Sequence, residues 1–142
     1  MALSIKELQI GDWVTFGDEP LKVQHIYNNG YDDVVAETME EFLDEDGVIC
    51  EEIKDVPLVN CSPIPLTPEI LENNRFIKVN SQRYDYGYPD TDCYVKVNPK
   101  KNMIHVNGRN ANSNLYSHSF VHELQRALRL CGLNELADNF KV

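Results

Sequence analysis

His118 and His122 stand four residues apart, with Glu123 directly after the second. Two histidines one helical turn apart can present their rings to the same metal ion. The order HSFVHE differs from HExxH, because the glutamate follows the second histidine and projects about 100° away from it around a helix. A third ligand would have to come from His105, His25 or a cysteine. The competing reading is a partly exposed helix face with His122 packed against a strand. A second concentration of chemistry is the acidic run Glu40-Glu41, Asp44-Glu45-Asp46 and Glu51-Glu52. An EF-hand loop places oxygen ligands at positions 1, 3 and 5 and glycine at position 6. With Gly47 in the sixth place, the first falls on Phe42, so calcium is excluded in that form. The run reads as a solvated acidic loop and strand edge, or as an acidic mimic of nucleic-acid phosphates.

A third group mixes aromatic and cationic side chains: Arg83, Tyr84, Tyr86, Tyr88, Lys96, Lys100, Lys101 and Arg109. Stacking rings beside cations are what single-stranded nucleic acid requires. Tyrosines at alternate positions are equally what a half-exposed strand carries, and Asp85, Asp90 and Asp92 would repel phosphate. Nucleophilic catalysis finds little footing. The chain has no GxSxG elbow, no GxxxxGK phosphate loop and no dinucleotide glycine pattern. Cys93 and His105 could meet across a hairpin, but their spacing does not require it. No catalytic residue and no cofactor is expected.

The elements that must position these groups lie on a chain of 142 residues with a formal charge of −10. The charge is uneven. Residues 1–74 hold 17 acidic side chains against three lysines, a formal −14, and residues 75–142 hold ten Lys or Arg against six acidic, a formal +4. Two halves that attract each other, or two partners of opposite sign, would account for the asymmetry. The opening MALSIKELQIGDW lacks the apolar run of a signal peptide, and no stretch of about 18 apolar residues occurs. The expected compartment is the cytoplasm, with no membrane association and with Cys50, Cys61, Cys93 and Cys131 as reduced, mostly buried thiols.

Along the chain, Gly11-Asp12 precedes an apolar strand, and LKVQHIY reads as a second strand ending at the hairpin signal Asn29-Gly30. DVVAETM and VICEEI follow as strands on either side of a turn at Asp46-Gly47. The pattern predicts a small SH3-like barrel. In PIPLTPEIL the prolines Pro63, Pro65 and Pro68 exclude a central strand, and Thr67 with Pro68 predicts the capped start of a short helix that Asn73-Asn74 ends. This stretch is expected to fix the angle between two halves. RFIKV, RYDYGYPD and CYVKVNPKKNMIHV read as strands, with a loop at residues 98–102, and NGRNANSN at 107–114 reads as a polar loop. Val121, Leu124, Leu128 and Cys131 recur on one face of a 3.6-residue period, widened by Phe120, Ala127 and Leu130. Ser117 or Ser119 is the expected cap, Gly132 the stop, and Leu133 and Leu136 part of a further turn.

Three islands of this sequence carry a resemblance: Ile5-Lys6-Glu7-Leu8-Gln9-Ile10-Gly11-Asp12, the stretch from Pro63 to Leu71, and Val121-His122-Glu123-Leu124-Gln125-Arg126-Ala127-Leu128 followed by Gly132. In that order they resemble a family of small uncharacterised proteins of Bacteroides-type bacteria, often encoded in prophage-like or other mobile regions. The chain departs from the family's pattern at Arg75, where members usually carry a glycine before the aromatic, and in the acidic insert around residues 37–55. The resemblance implies a domain of unassigned activity and supplies no catalytic residue.

Together these readings predict an α+β protein. Residues 1–66 form a β-rich SH3-like subdomain, and residues 67–142 a subdomain with a short helix, a β-hairpin region and a packed C-terminal helix. The expected function is that of a non-enzymatic accessory protein binding another protein. The alternative is a nucleic-acid-binding module using the basic, tyrosine-rich second half. An acidic DNA mimic and a metal-dependent enzyme built on His118 and His122 follow. The sequence fixes neither the partner nor the oligomeric state.

Overall fold

The computed structural model describes residue 3 and residues 8–28, 34–87, 94–108, 111–116 and 119–142. It is a mixed α+β structure in two compact units, residues 1–64 and 65–142. No helix among the described residues is long and apolar enough to cross a membrane.

Unit 1 is a five-stranded antiparallel sheet: β1 Trp13–Phe16, β2 Glu19–Asn28, β3 Val34–Leu43, β4 Ile49–Pro57 and β5 Cys61–Ser62. The spatial order is β4-β3-β2-β1-β5. The first part of β2 pairs with β1 and its later part with β3, and the register shifts between Val23 and His25. A bulge there bends the strand and lets it serve both neighbours. A 3-10 turn at Leu58–Asn60 leads into β5, which pairs with β1. Among the described residues the pairings leave β4 and β5 as edges and detect no closed barrel.

Local chemistry explains the entry into β1. Gly11 takes φ +93, which a side chain would resist, and its N–H donates to Val23 O at 2.7 Å. Asp12 is fully buried; its Oδ2 accepts from Gln9 N–H at 2.9 Å, and its carbonyl accepts from Val23 N–H at 2.8 Å. The Gly-Asp pair thus buckles the segment onto β2. Leu8, Val14, Leu21, Val23, Val56, Leu58 and Cys61 form the core beneath it. Each such fully buried aliphatic side chain is worth about 1.5–3 kcal/mol. Burial pushes the Cys61 thiol above its ordinary range.

Unit 2 holds a meander of five antiparallel strands in sequence order: β6 Ile77–Asn80, β7 Arg83–Tyr86, β8 Tyr94–Asn98, β9 Met103–Gly108 and β10 Ala111–Tyr116. Three helices accompany it: α1 Pro68–Asn73, α2 Val121–Leu130 and α3 Asn134–Asp138. The expected single hairpin region is therefore a larger sheet. Of the segment 107–114, expected as a loop, residues 107–108 and 111–114 belong to β9 and β10, with Ala111 to Tyr116 paired against Gly108 to Met103; residues 109 and 110 lie outside the described residues. Its Asn and Ser residues have low strand propensity, and sheet pairing overrides it. In RFIKV only Phe76 is buried. Ile77 and Val79 are exposed because β6 is an edge strand.

The helix signals operate as physical chemistry requires. Thr67 Oγ1 accepts from Ile70 N–H at 3.2 Å, Pro68 opens α1 and Leu71 is fully buried. Val121, Leu124, Ala127, Leu128 and Cys131 of α2 and its end are buried, while Leu130 is exposed and lies off the apolar stripe. Of the two serines expected as the cap of α2, Ser119 has φ +59 and is not the N-cap, which is Phe120 without a side-chain bond, and Ser117 lies outside the described residues. Both longer helices close in the same way. Leu133 N–H reaches Leu128 O and Gly132 N–H reaches Arg129 O; at α1, Phe76 N–H reaches Leu71 O and Arg75 N–H reaches Glu72 O. This pattern places one residue in the left-handed region, here Gly132 at φ +79 and Arg75 at φ +68. A left-handed non-glycine residue costs about 1–2 kcal/mol, less the extra chain entropy a glycine would lose. Arg75→Gly is accordingly expected to raise the unfolding free energy by about 0.5–1 kcal/mol in urea titration.

Asn74 and Gln125 are buried amides with specific tasks. Asn74 Nδ2 donates to Ile70 O at 2.7 Å and to Lys141 O at 2.8 Å, and its Oδ1 accepts from Lys141 N–H at 2.8 Å. Gln125 Nε2 donates to Ala137 O at 2.9 Å, tying α3 to α2.

Candidate functional site

The β3–β4 hairpin carries the most unusual surface. Its loop is built by one residue. Asp44 Oδ1 accepts from Asp46 N–H at 2.9 Å and from Val48 N–H at 2.8 Å, its carbonyl accepts from Gly47 N–H at 3.1 Å, and its own N–H donates to Val48 O at 3.0 Å. A short polar side chain that bonds the backbone two residues on is the standard means of holding such a turn. Gly47 supplies the positive φ of +76. The hairpin end exposes four large apolar residues, Phe42 at 46 %, Leu43 at 69 %, Val48 at 56 % and Ile49 at 68 %, with Leu43 and Ile49 on one face and Phe42 on the other. Leu43 is paired with Ile49, Phe42 with Cys50, Glu41 with Glu51 and Glu40 with Glu52. Carboxylates directly opposite one another repel, and solvated leucine and isoleucine gain nothing from folding. The hairpin end thus holds two local arrangements that folding alone does not favour.

In unit 2 the strand alternation sorts the basic, tyrosine-rich residues onto opposite faces of the sheet. Arg83 and Asp85 share one face of β7, with Arg83 Nε 3.1 Å from Asp85 Oδ1. Tyr84 is 5 % exposed and belongs to the core beside Val95, Val97, Ile104 and Val106. Tyr86 is half-buried, its ring 5.6 Å from that of Phe76. Lys96 is paired with Asp85 and with His105 in the ladder, and its Nζ lies 5.1 Å from the Tyr94 ring centroid. Arg83, Lys96 and His105 meet around a depression of about 300 Å³ floored by Val97 and Met103. Lys100 and Lys101 are exposed on the 3-10 turn between β8 and β9, where Asn98 Oδ1 accepts from Lys101 N–H at 3.2 Å. Tyr88 and Arg109 lie outside the described residues. The face of the sheet that displays Arg83 and Lys96 is therefore not the one that holds Tyr84.

α2 begins at Val121, which puts His122 in its first turn, after the left-handed Ser119. His118 lies outside the described residues. His122 is 3 % exposed and stacks on Phe120 at 6.0 Å. Among the described residues no three His, Cys, Asp or Glu side chains are grouped to hold a metal ion. A second, polar groove of about 820 Å³ runs between the end of α1 and α3, lined by Arg75, Tyr86, Leu133, Glu135 and Lys141 among others. Neither this lining nor that of the smaller depression includes a serine or cysteine.

Sequence reasoning located the acidic run but missed its apolar companions. The available signal was Phe42-Leu43 and Val48-Ile49 immediately flanking an Asp-rich turn, a place where a hairpin has no core to cover them. Comparisons of the chain with protein-family models, curated proteins and solved structures give no match.

Proposed function

We propose that the chain is a non-enzymatic accessory protein that acts by binding another protein through the end of its β3–β4 hairpin. The observation that carries this reading is the set of exposed apolar residues at the hairpin end, Phe42, Leu43, Val48 and Ile49, of which Leu43 and Ile49 are cross-strand neighbours within an acidic surround. Exposed apolar surface gathered at one end of an element marks interaction sites. A protein partner is favoured over nucleic acid because the hairpin and the chain as a whole are strongly negative.

Two finer readings belong with it. The strand order of unit 1, the shared and bulged β2 and the 3-10 turn before β5 support an SH3-like architecture. The left-handed backbone at Arg75 supports the resemblance to the Bacteroides-type, mobile-element family, because a glycine suits that position without strain.

The test compares affinity captures by the intact chain and by a Leu43→Ser, Ile49→Ser variant, each with and without nuclease. A protein that is recovered with the intact chain and depleted at least tenfold with the variant supports the reading. Equal recovery by both overturns it, and nuclease-sensitive capture would favour the basic face of unit 2 instead.

A further inference from the structure

We propose that the outer edge of β4 is a strand-docking site for an extended, basic peptide segment of the partner protein. This rests on the protein-binding reading above and adds its mode and chemistry. Within unit 1, β4 has β3 on one side and no described strand on the other. It is nine residues long, its register with β3 runs without a shift from Leu43–Ile49 to Val35–Pro57, and its only proline is the last residue. Long, regular, unpaired edges template the addition of another strand, and protein–peptide recognition exploits this. By contrast, β6, an edge of the second sheet, has four residues and a register shift. Shortness and bulging are devices by which edges are guarded, and β4 has neither; it carries charge alone, in Glu51, Glu52, Lys54 and Asp55.

The side chains of β4 specify what could pair there. Glu51 and Glu52 are exposed, and across the ladder each already faces a glutamate, Glu41 or Glu40. On the open side a basic residue opposite each would relieve the repulsion. Exposed Ile49 and half-buried Cys50 come next along the strand and call for apolar neighbours. An antiparallel partner strand therefore reads basic-basic-apolar-apolar. A second copy of this chain offers a poorer match, since Lys54 is the only basic residue of β4 and Asp55 follows it. Two adjacent carboxylates therefore select a strand with two adjacent cations over β4 of a second copy.

The experiment uses the full chain and two defined peptides, Thr-Thr-Lys-Arg-Val-Ile-Thr-Ser and the same peptide with Glu-Glu in place of Lys-Arg. Binding is followed by amide hydrogen exchange and by titration at two salt concentrations. The Lys-Arg peptide is expected to slow exchange at residues 49–56 and to bind more weakly at high salt. The double variant Glu51→Lys, Glu52→Lys is expected to lose about tenfold in affinity for it, to prefer the Glu-Glu peptide, and to melt no lower than the native chain. Affinity indifferent to the charge reversal, protection elsewhere in the chain, or concentration-dependent dimers that protect residues 49–56 would each overturn the proposal. The two readings fail separately. If the Leu43→Ser, Ile49→Ser variant loses a captured protein while the Lys-Arg peptide leaves β4 unprotected, the docking edge is wrong and the protein-binding reading stands.

Discussion

Replacing Phe140 by alanine is expected to lower the unfolding free energy by about 3–5 kcal/mol, the usual cost of emptying a fully enclosed aromatic site. Phe140 is 1 % exposed and among the largest fully buried side chains. Its importance follows from the shortness of α3. Five residues are too few for a helix to persist without packing, and Ala137 is the only buried residue within that helix. Ala137 has little area to bury, so the ring of Phe140 supplies most of the apolar contact of this segment. Urea unfolding should show the loss as a lower midpoint, and amide exchange should show residues 134–141 opening before α2. A change below about 1 kcal/mol would mean that the site collapses around the smaller side chain.

Asn74→Ala is expected to cost about 1–3 kcal/mol, the penalty for leaving buried backbone groups without their partner. One amide here serves three backbone groups, Ile70 O, Lys141 O and Lys141 N–H. It treats the last of these residues as a strand would, giving and accepting at once. Lys141 is exposed, so water can replace part of what is lost, which keeps the cost below the sum of three bonds. Asn74→Asp provides the sharper comparison. The carboxylate retains the acceptor for Lys141 N–H but sets a charged oxygen against the carbonyls of Ile70 and Lys141 in a buried site, so it should be less stable than alanine in urea titration at neutral pH. A stability equal to the native chain would show that the donated bonds contribute nothing.

What could be read from the sequence was what is decided locally. Thr67, Pro68 and Asn74 bound a helix because capping and the fixed φ of proline act within a few residues. Gly132 stopped α2 for the same reason. The apolar period of α2 identified its buried face. Features decided by distant pairing escaped. Polar residues 111–116 become a strand only because β9 offers an edge, and Ile77 and Val79 are exposed only because no strand covers theirs. The alternation in RYDY identified a half-exposed strand. It did not show that the tyrosines would face inward, since that depends on which side of the sheet the helix occupies. For the candidate site, the acidic run was plain as composition. The opposed glutamates and the clustered apolar side chains required the register between β3 and β4, which a reading of either strand alone does not contain.

The bond pair between Asn74 and Lys141 joins residues 67 apart in the chain. During synthesis, the helix that carries Asn74 emerges while its counterpart has yet to be translated. Unit 2 therefore cannot close on the ribosome until nearly all of its chain has cleared the exit tunnel, and must then bring together the ends of a long loop. Unit 1 likewise waits for β5, which pairs with β1, but it spans residues 1–64 and is translated in full before unit 2. Stalled or truncated translation products should thus present a finished first unit followed by an unfinished second one, and proteolysis of nascent chains should find that order.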